Sequence, residues 1–300
     1  MCIRDRSEVA LAVDIGGTKM AAGLVDIEGN VHRESSVPTD HSLDSESLYA
    51  DLVGLVESVL GSDVSYDVCG VGCGGPMSPG GQEVSPLNIP AWRNFALVDR
   101  MRESFGARVV IDNDAKALAL GEAWYGAGIG LSNFLAMVVS TGIGGGLIMN
   151  GELIEGATGN AGHIGHVIVE PEGAICACGS QGCLEAEASG PSIARRLKSE
   201  PSEASIFERS RAGTMVGRAV ASAVNLLDLE RVLVGGSVAL GFGVPFFKAA
   251  NSEMIRRCGL DFSRGVKIVP VGLGGKAPIV GAAAIGFRGL GINLRKSTSD

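Results

Sequence analysis

The chain has 300 residues, 46% of them hydrophobic and 19% charged, enough for two α/β lobes each with its own core and too many for one small domain. A net charge of −8, with no Lys/Arg run longer than a pair, leaves no electrostatic footprint for nucleic acid or for an anionic membrane, so a phosphate ligand would have to be held locally. No apolar run approaches the roughly 20 residues of a membrane span and no signal-like apolar region opens the chain, so the expected compartment is the cytoplasm.

Residues 1–7 are charged and aperiodic and read as a leader or a cloning or assembly scar. An apolar run over 9–15 ends in Gly16-Gly17 and resumes over 20–25, a strand, a glycine turn and a second strand. After Val31 comes a polar stretch. A helix follows over 45–60, with Leu48, Leu52, Val53, Leu55, Val56 and Val59 on one face, then a short buried strand at 67–71. Pro76, Pro79, Pro86 and Pro90 make 74–92 an irregular loop. A helix over 98–105 and a strand over 107–111 lead to a helix ending near Tyr125, with Asp114 suited to its N-cap.

The second half repeats this grammar: a strand at 134–139, a loop at 140–146, a strand at 147–149, and a Gly/Cys/His-rich section to Gly190. Helices are expected at 192–198, 202–212 and 214–227, a strand at 232–234, a helix at 245–257, a strand at 266–269 and a helix at 277–287. Two lobes, 1–120 and 121–300, each opening on a strand-turn-strand unit, suggest duplication around a cleft, with the last helix packing back on the first lobe.

Three glycine loops carry the chemistry. In Asp14-Ile-Gly-Gly-Thr-Lys19, backbone N–H groups at Gly16 and Gly17 can approach phosphate oxygens, Thr18 adds a hydroxyl, Lys19 a charge, and Asp14 can act through Mg²⁺ or its water. Alone, the loop reads equally as a tight hairpin turn. Ser140-Thr-Gly-Ile-Gly-Gly-Gly146 repeats the design with Thr141, Gly142, Gly144 and Gly145, and Val234-Gly-Gly-Ser237 offers Gly235 and Gly236 to the adenosine side of a nucleotide. The G-x-G-x-x-G at Gly70 runs into Pro76 instead of a helix, so a dinucleotide fold lacks its helix N-terminus, and no G-x-x-x-x-G-K-[S/T] occurs. A kinase acting on a sugar hydroxyl needs a carboxylate to accept its proton, and Asp114 is the candidate. The residues alone leave it open between that role and a helix cap. Three of the seven cysteines, Cys176, Cys178 and Cys183, fall close together, which suggests metal before disulfide; Cys69, Cys73 and Cys258 read as interior residues.

From Asp14-Ile-Gly-Gly-Thr-Lys19 through Asn113-Asp-Ala115 and Ser140-Thr-Gly-Ile-Gly-Gly-Gly146 to Gly162-His-Ile-Gly-His166 and Cys176-Ala-Cys-Gly-Ser-Gln-Gly-Cys-Leu-Glu185, the chain resembles the ROK family over nearly its full length. The resemblance implies a two-lobed actin-like ATPase fold, ATP with Mg²⁺ as donor, a sugar as acceptor, most readily glucose, and a homodimer. It makes Asp114 the catalytic base, Asn113 a sugar ligand, and Glu185 and His166 partners of further hydroxyls. Asn88, in an element similar to the family's Asn-Leu-Pro-x-Trp, becomes a sugar contact, and Gly74 and Gly75 let the sugar approach the backbone. His166-x9-Cys176-x-Cys178-x4-Cys183 matches a closed Cys₃His zinc site that would clamp the loop carrying Glu185 and orient His166.

Two departures bear on specificity. His163 stands where the family often has Glu; the His-containing version resembles bacterial N-acetylmannosamine kinases more than typical glucokinases, and His163 reads as a donor replacing an acceptor, or as a spacer beside the zinc ligand. Lys116 stands where many members have Asn and reads as a solvated helix residue, with a role beside Asp114 as the alternative. A repressor of this family would carry a helix-turn-helix ahead of the first loop, for which 13 residues leave no room. A sugar-binding protein without catalysis is a further alternative that Asp114 and both glycine loops argue against.

Overall fold

The computed structural model describes residues 8–61, 65–106 and 108–295; residues 1–7, the expected leader or scar, lie outside them. In chain order the elements are β1 (Val9–Ile15), β2 (Lys19–Asp26), β3 (Val31–Pro38), α1 (Ser45–Leu60), β4 (Val68–Cys73), α2 (Leu97–Phe105), β5 (Val109–Asn113) and α3 (Asp114–Tyr125). They continue with β6 (Phe134–Val139), β7 (Ile143–Met149), β8 (Glu152–Leu153), α4 (Leu184–Ala188), α5 (Gly190–Leu197), α6 (Ile206–Leu227), β9 (Arg231–Gly235), α7 (Ser237–Phe242), α8 (Val244–Arg257), β10 (Ile268–Pro270) and α9 (Ala277–Gly289).

The strands form two five-stranded sheets of one topology, β3-β2-β1-β4-β5 and β8-β7-β6-β9-β10. In each, a hairpin opens the sheet and two parallel strands complete it: β4 beside β1 and β5 beside β4, then β9 beside β6 and β10 beside β9. Alternation along β1 sorts its side chains by size. Leu11, Val13 and Ile15 face the outer core under α1 and α2, while Ala10 and Ala12 face α9. Small residues on that side admit a helix at close range. At Gly70 of β4 an added Cβ would lie 2.0 Å from the Ala282 carbonyl of α9. Helices α3 and α9 share one core with both sheets, and α4, α6, α7 and α8 cover the far face of the second sheet. The last helix therefore packs on β1 and β4 as well as on α3.

Several elements differ from their expected form for identifiable reasons. The polar stretch after Val31 is β3, an edge strand paired with β2 whose side chains are largely solvated, so apolar alternation is missing. The expected loop at 140–146 is shorter, because Ile143–Gly146 already pairs with β6. The two helices expected at 202–212 and 214–227 are the single α6. Gly213 does not break it but faces α8, where an added Cβ would lie 2.2 Å from the Phe246 carbonyl. At α3 the N-cap is Asn113, not Asp114: Asn113 Oδ1 accepts the Ala115 N–H at 3.0 Å, and Asp114 is the first helical residue.

Candidate active site

The carboxyl ends of β1, β4, β5, β6 and β9 converge on one cleft of about 450 Å³, lined from both halves of the chain. The first hairpin turn is closed by the Gly16 N–H donating to the Lys19 carbonyl at 3.0 Å. Thr39 Oγ1 donates to the Gly16 carbonyl at 2.7 Å and His41 Nε2 lies 2.7 Å from that of Gly17, so the loop is braced from behind. The second turn is closed by the Ser140 N–H on the Gly142 carbonyl at 3.0 Å. The tips meet: Thr18 Oγ1 and Thr141 Oγ1 are 2.7 Å apart. Gly16, Gly17, Thr18, Lys19, Thr141, Gly142 and Gly144 all line the cleft, but Gly145 does not; in β7 it turns toward Leu135 and Ile164 in the core.

Asp14, at the end of β1, and Asp114, at the start of α3, flank Gly72 of β4: an added Cβ there would lie 3.5 Å from Asp14 Oδ1 and 3.6 Å from Asp114 Cα. Burial, reinforced by the Asp114 carboxylate and opposed by Lys19, pushes Asp14 up to about 7. Burial also raises Asp114 above the usual carboxylate range, against the Ala115 N–H that donates to its Oδ1 at 2.8 Å and the nearby His163 imidazole, while Glu185 adds to the rise. Asp114 is thus a carboxyl with raised proton affinity, as a general base requires.

The residues expected to meet a sugar gather around it. Gly75, which follows β4, sits beside Asn113 and His163, its missing Cβ lying 3.1 Å from Asn113 Nδ2 and 3.2 Å from His163 Nε2. Asn88 lies between the two hairpins, next to Gly17 and Gly142. Glu185 Oε2 accepts the Ile143 N–H at 2.7 Å, which fixes the carboxylate at the foot of the second hairpin. His163 differs from its expected chemistry. Its Nδ1 lies 2.8 Å from the Asn160 carbonyl, which only accepts, so Nδ1 carries the proton and the neutral ring presents Nε2 as an acceptor, as a carboxylate would. Asn160 in turn brackets the Met77 backbone, with Nδ2 donating to its carbonyl at 3.1 Å.

Lys116 is not solvated. Its side chain is 1% exposed, paired with Asp112 at 2.8 Å and with Glu155, and donates to the Gly159 carbonyl at 3.2 Å. Glu155 also accepts from Arg288 of α9 at 2.5 Å. The Asn-to-Lys departure therefore belongs to an ion network, buried at Lys116 and Asp112 and open to solvent at Glu155 and Arg288, that ties α3 to the segment leading into His163.

Among the described residues, His166, Cys176, Cys178 and Cys183 bring their ligand atoms within 4.8 Å of one another. Cys176 Sγ is 3.7 Å from His166 Nδ1, and Cys178 Sγ is 3.7 Å from Cys183 Sγ. Tetrahedral zinc at about 2.3 Å from each sulfur would separate two sulfurs by about 3.8 Å. The donor set fits. The Ser180 N–H favours the Cys178 thiolate, while burial raises Cys183. With Nδ1 turned to the thiols, His166 keeps Nε2 for the cleft that it lines.

Gly235 and Gly236 line the cleft after β9, with Ser237 Oγ 2.9 Å from Ser140 Oγ. Further lining residues around them escaped the sequence reading: Leu240, Val271, Gly274, Gly275 and the start of α9 at Ala277 and Pro278. Their available signal was a fourth glycine cluster at a strand end, Gly272-Leu-Gly-Gly275.

The ROK family profile matches residues 10–288. The glucokinase of Thermotoga maritima is 31% identical over 92% of this chain and 96% of its own length. The N-acetylmannosamine kinase of Escherichia fergusonii is 33% identical over 78% of this chain and 84% of its own. A ROK family glucokinase from Streptomyces griseus, solved with glucose and AMPPNP, superposes with a TM-score of 0.84 at 31% identity, covering 93% of this chain and 99% of that one.

Proposed function

Because the chain belongs to the ROK family, we propose that it is an ATP-dependent hexose kinase whose acceptor is glucose and whose product is glucose 6-phosphate. The observation that carries this reading is the cleft, where two glycine hairpins meet through Thr18 and Thr141 and which a partly buried aspartate with raised proton affinity, Asp114, also lines. The two-lobed actin-like ATPase fold of the ROK glucokinases is the fold of this chain. We place the lobe division near residue 120, within α3, giving 1–120 and 121–300.

Glucose binds between Gly75, Asn88, Asn113, His163, His166 and Glu185. Asn113 Oδ1 is held by its cap, so Nδ2 donates to a sugar oxygen. Glu185 Oε2 is held by Ile143, so Oε1 accepts a hydroxyl. His163 Nε2 accepts and His166 Nε2 donates, which matches a polyol that offers both. Asp114 Oδ1 takes the Ala115 N–H, so Oδ2 accepts the proton of the attacking hydroxyl as the γ-phosphoryl group of ATP transfers in line. The backbone and hydroxyls at Gly16, Gly17, Thr18, Thr141, Gly142 and Gly144, with Lys19, hold the phosphates, and Gly235 and Gly236 face the adenosine. Mg²⁺ would neutralise phosphate charge beside Asp14, with the Asp14 carboxyl acting on the ion or on its water. Zinc at His166, Cys176, Cys178 and Cys183 would fix the segment between His166 and Glu185, a structural role with no open ligand position.

An N-acetylmannosamine kinase is the second reading, favoured by His163 and by the E. fergusonii relative. The described residues include no helix long and apolar enough to cross a membrane. The cytoplasmic location and the homodimer are part of this proposal, the latter checked by light scattering after gel filtration. Sugar-dependent ADP release with MgATP, measured for glucose, mannose, N-acetylglucosamine, N-acetylmannosamine, fructose and allose, tests the function. Highest kcat/KM with glucose supports the first reading, preference for N-acetylmannosamine replaces it by the second, and no sugar-dependent release rejects both.

A further inference from the structure

Glu122 is fully buried in α3 and has no Lys or Arg partner among the described residues. Its carboxylate is nevertheless saturated by backbone donors: Oε2 accepts the N–H groups of Ala127 at 2.7 Å and Gly272 at 2.9 Å, and Oε1 accepts that of Leu273 at 2.9 Å. Gly272 and Leu273 lie between β10 and α9, immediately before Gly274 and Gly275, which line the same cleft as Gly235 and Gly236 at the end of the neighbouring strand β9.

Nothing else of comparable strength holds this loop. Its remaining hydrogen bonds are backbone ones, Val271 N–H to the Val234 carbonyl at 3.2 Å, Lys276 N–H to the Leu273 carbonyl at 3.2 Å and Ala277 N–H to the Gly274 carbonyl. Among the described residues, Glu122 is the only side chain hydrogen-bonded to residues 271–276. A glycine-rich loop has large conformational freedom, and hydrogen bonds to a charged group remove more of it than neutral ones do.

We propose that Glu122 is a positioning residue for nucleotide binding, holding the 272–275 loop at the spacing from Gly235 and Gly236 that the adenosine moiety requires. The inference rests on the proposed kinase reading for the identity of the ligand. It also assigns α3 two tasks: its first turn bears Asp114, and two turns later its buried carboxylate sets the opposite end of the cleft.

The test compares wild type, Glu122→Gln and Leu273→Pro as full chains by steady-state kinetics, with glucose and MgATP varied separately, and by binding of glucose without nucleotide. Gln keeps the shape of Glu122 but presents an amide NH₂ to a backbone donor. Leu273 has φ −77°, so proline fits its backbone and deletes one donated N–H. Its side chain also packs against Gly121 of α3, so Leu273→Ala, which loses that packing and keeps the N–H, is the control and should leave KM for MgATP near wild type. Glu122→Gln and Leu273→Pro are both expected to raise KM for MgATP about tenfold, the scale of a lost charge-assisted bond, with KM and Kd for glucose within about twofold of wild type. The double variant is expected to be no worse than about the larger single effect, because both changes break one contact. A folded Glu122→Gln or Leu273→Pro variant with unchanged KM for MgATP, or equal rises for both substrates, overturns the proposal. Absence of sugar-dependent ADP release in wild type would instead overturn the kinase reading itself.

Discussion

The two hairpins that open the two sheets have one design and different equipment. β1-β2 and β6-β7 each occupy the same place in a five-stranded order, turn through glycines and point a threonine at the other. Only the first has a carboxylate at its strand end, Asp14, and only the first half follows its β5 equivalent with a catalytic candidate, Asp114. The second half has Ser140 at the corresponding turn, a two-residue β8, and then the long segment carrying His163, His166, the three cysteines and Glu185. On the proposed reading, duplication would supply a symmetric grip on phosphate, while divergence would put proton and Mg²⁺ chemistry on one side and the sugar wall with its candidate zinc ligands on the other.

Removing the first half's chemistry has the largest expected effect. Asp114→Asn should lower kcat by about 10²–10⁴-fold, the range of a general base, while dissociation constants for glucose and MgATP measured by calorimetry stay near wild type. Turnover near wild type would end its assigned role. Breaking the second half's clamp should act differently. Cys183→Ser, or chelation confirmed by loss of about one zinc per chain, is expected to raise KM for glucose about tenfold and leave KM for MgATP nearly unchanged. A rise confined to MgATP would contradict the division of labour.

Asp14 sharpens the comparison through pH. Its folded-state pKa, about 7, lies above the unfolded value of 3.8, so the protonated folded form is favoured. The stability this contributes is fully present below about pH 3.8 and is lost as pH rises through about 7. Melting curves of the ligand-free protein should therefore show Asp14→Asn gaining on wild type as pH rises through that interval, then holding its advantage; a constant gap would refute the raised pKa. The smallest effect belongs to the shared element. Thr141→Ala deletes one hydroxyl at the meeting point of the tips, worth about 1 kcal/mol, and should raise KM for MgATP roughly fivefold in initial-rate assays.

Apolar periodicity and glycine punctuation made most of this architecture legible, because β1, β4, β6 and β9 are buried on both faces and their ends are marked by glycine. It failed where burial pattern and pairing part company. β3 is hydrogen-bonded like its neighbours but solvated, and Gly213 looks like a break only until α8 is seen lying against it. In the site, the glycine loops, the Asn113-Asp114 pair and the metal ligands were visible as local strings. The burial of Lys116 and Glu122 was not: the Asp112–Lys116 spacing of four fits a solvated helix pair equally well, and the partners that complete each site, Glu155 and Gly272, lie 39 and 150 residues away in sequence.

The central claim is transfer to sugar across the cleft, and phosphorus NMR of the purified protein with MgATP and glucose tests it most directly. A kinase of this kind yields ADP and a hexose 6-phosphate signal rising together, with no inorganic phosphate formed when glucose is omitted. Inorganic phosphate as the main product, or a spectrum that does not change with glucose, would contradict it.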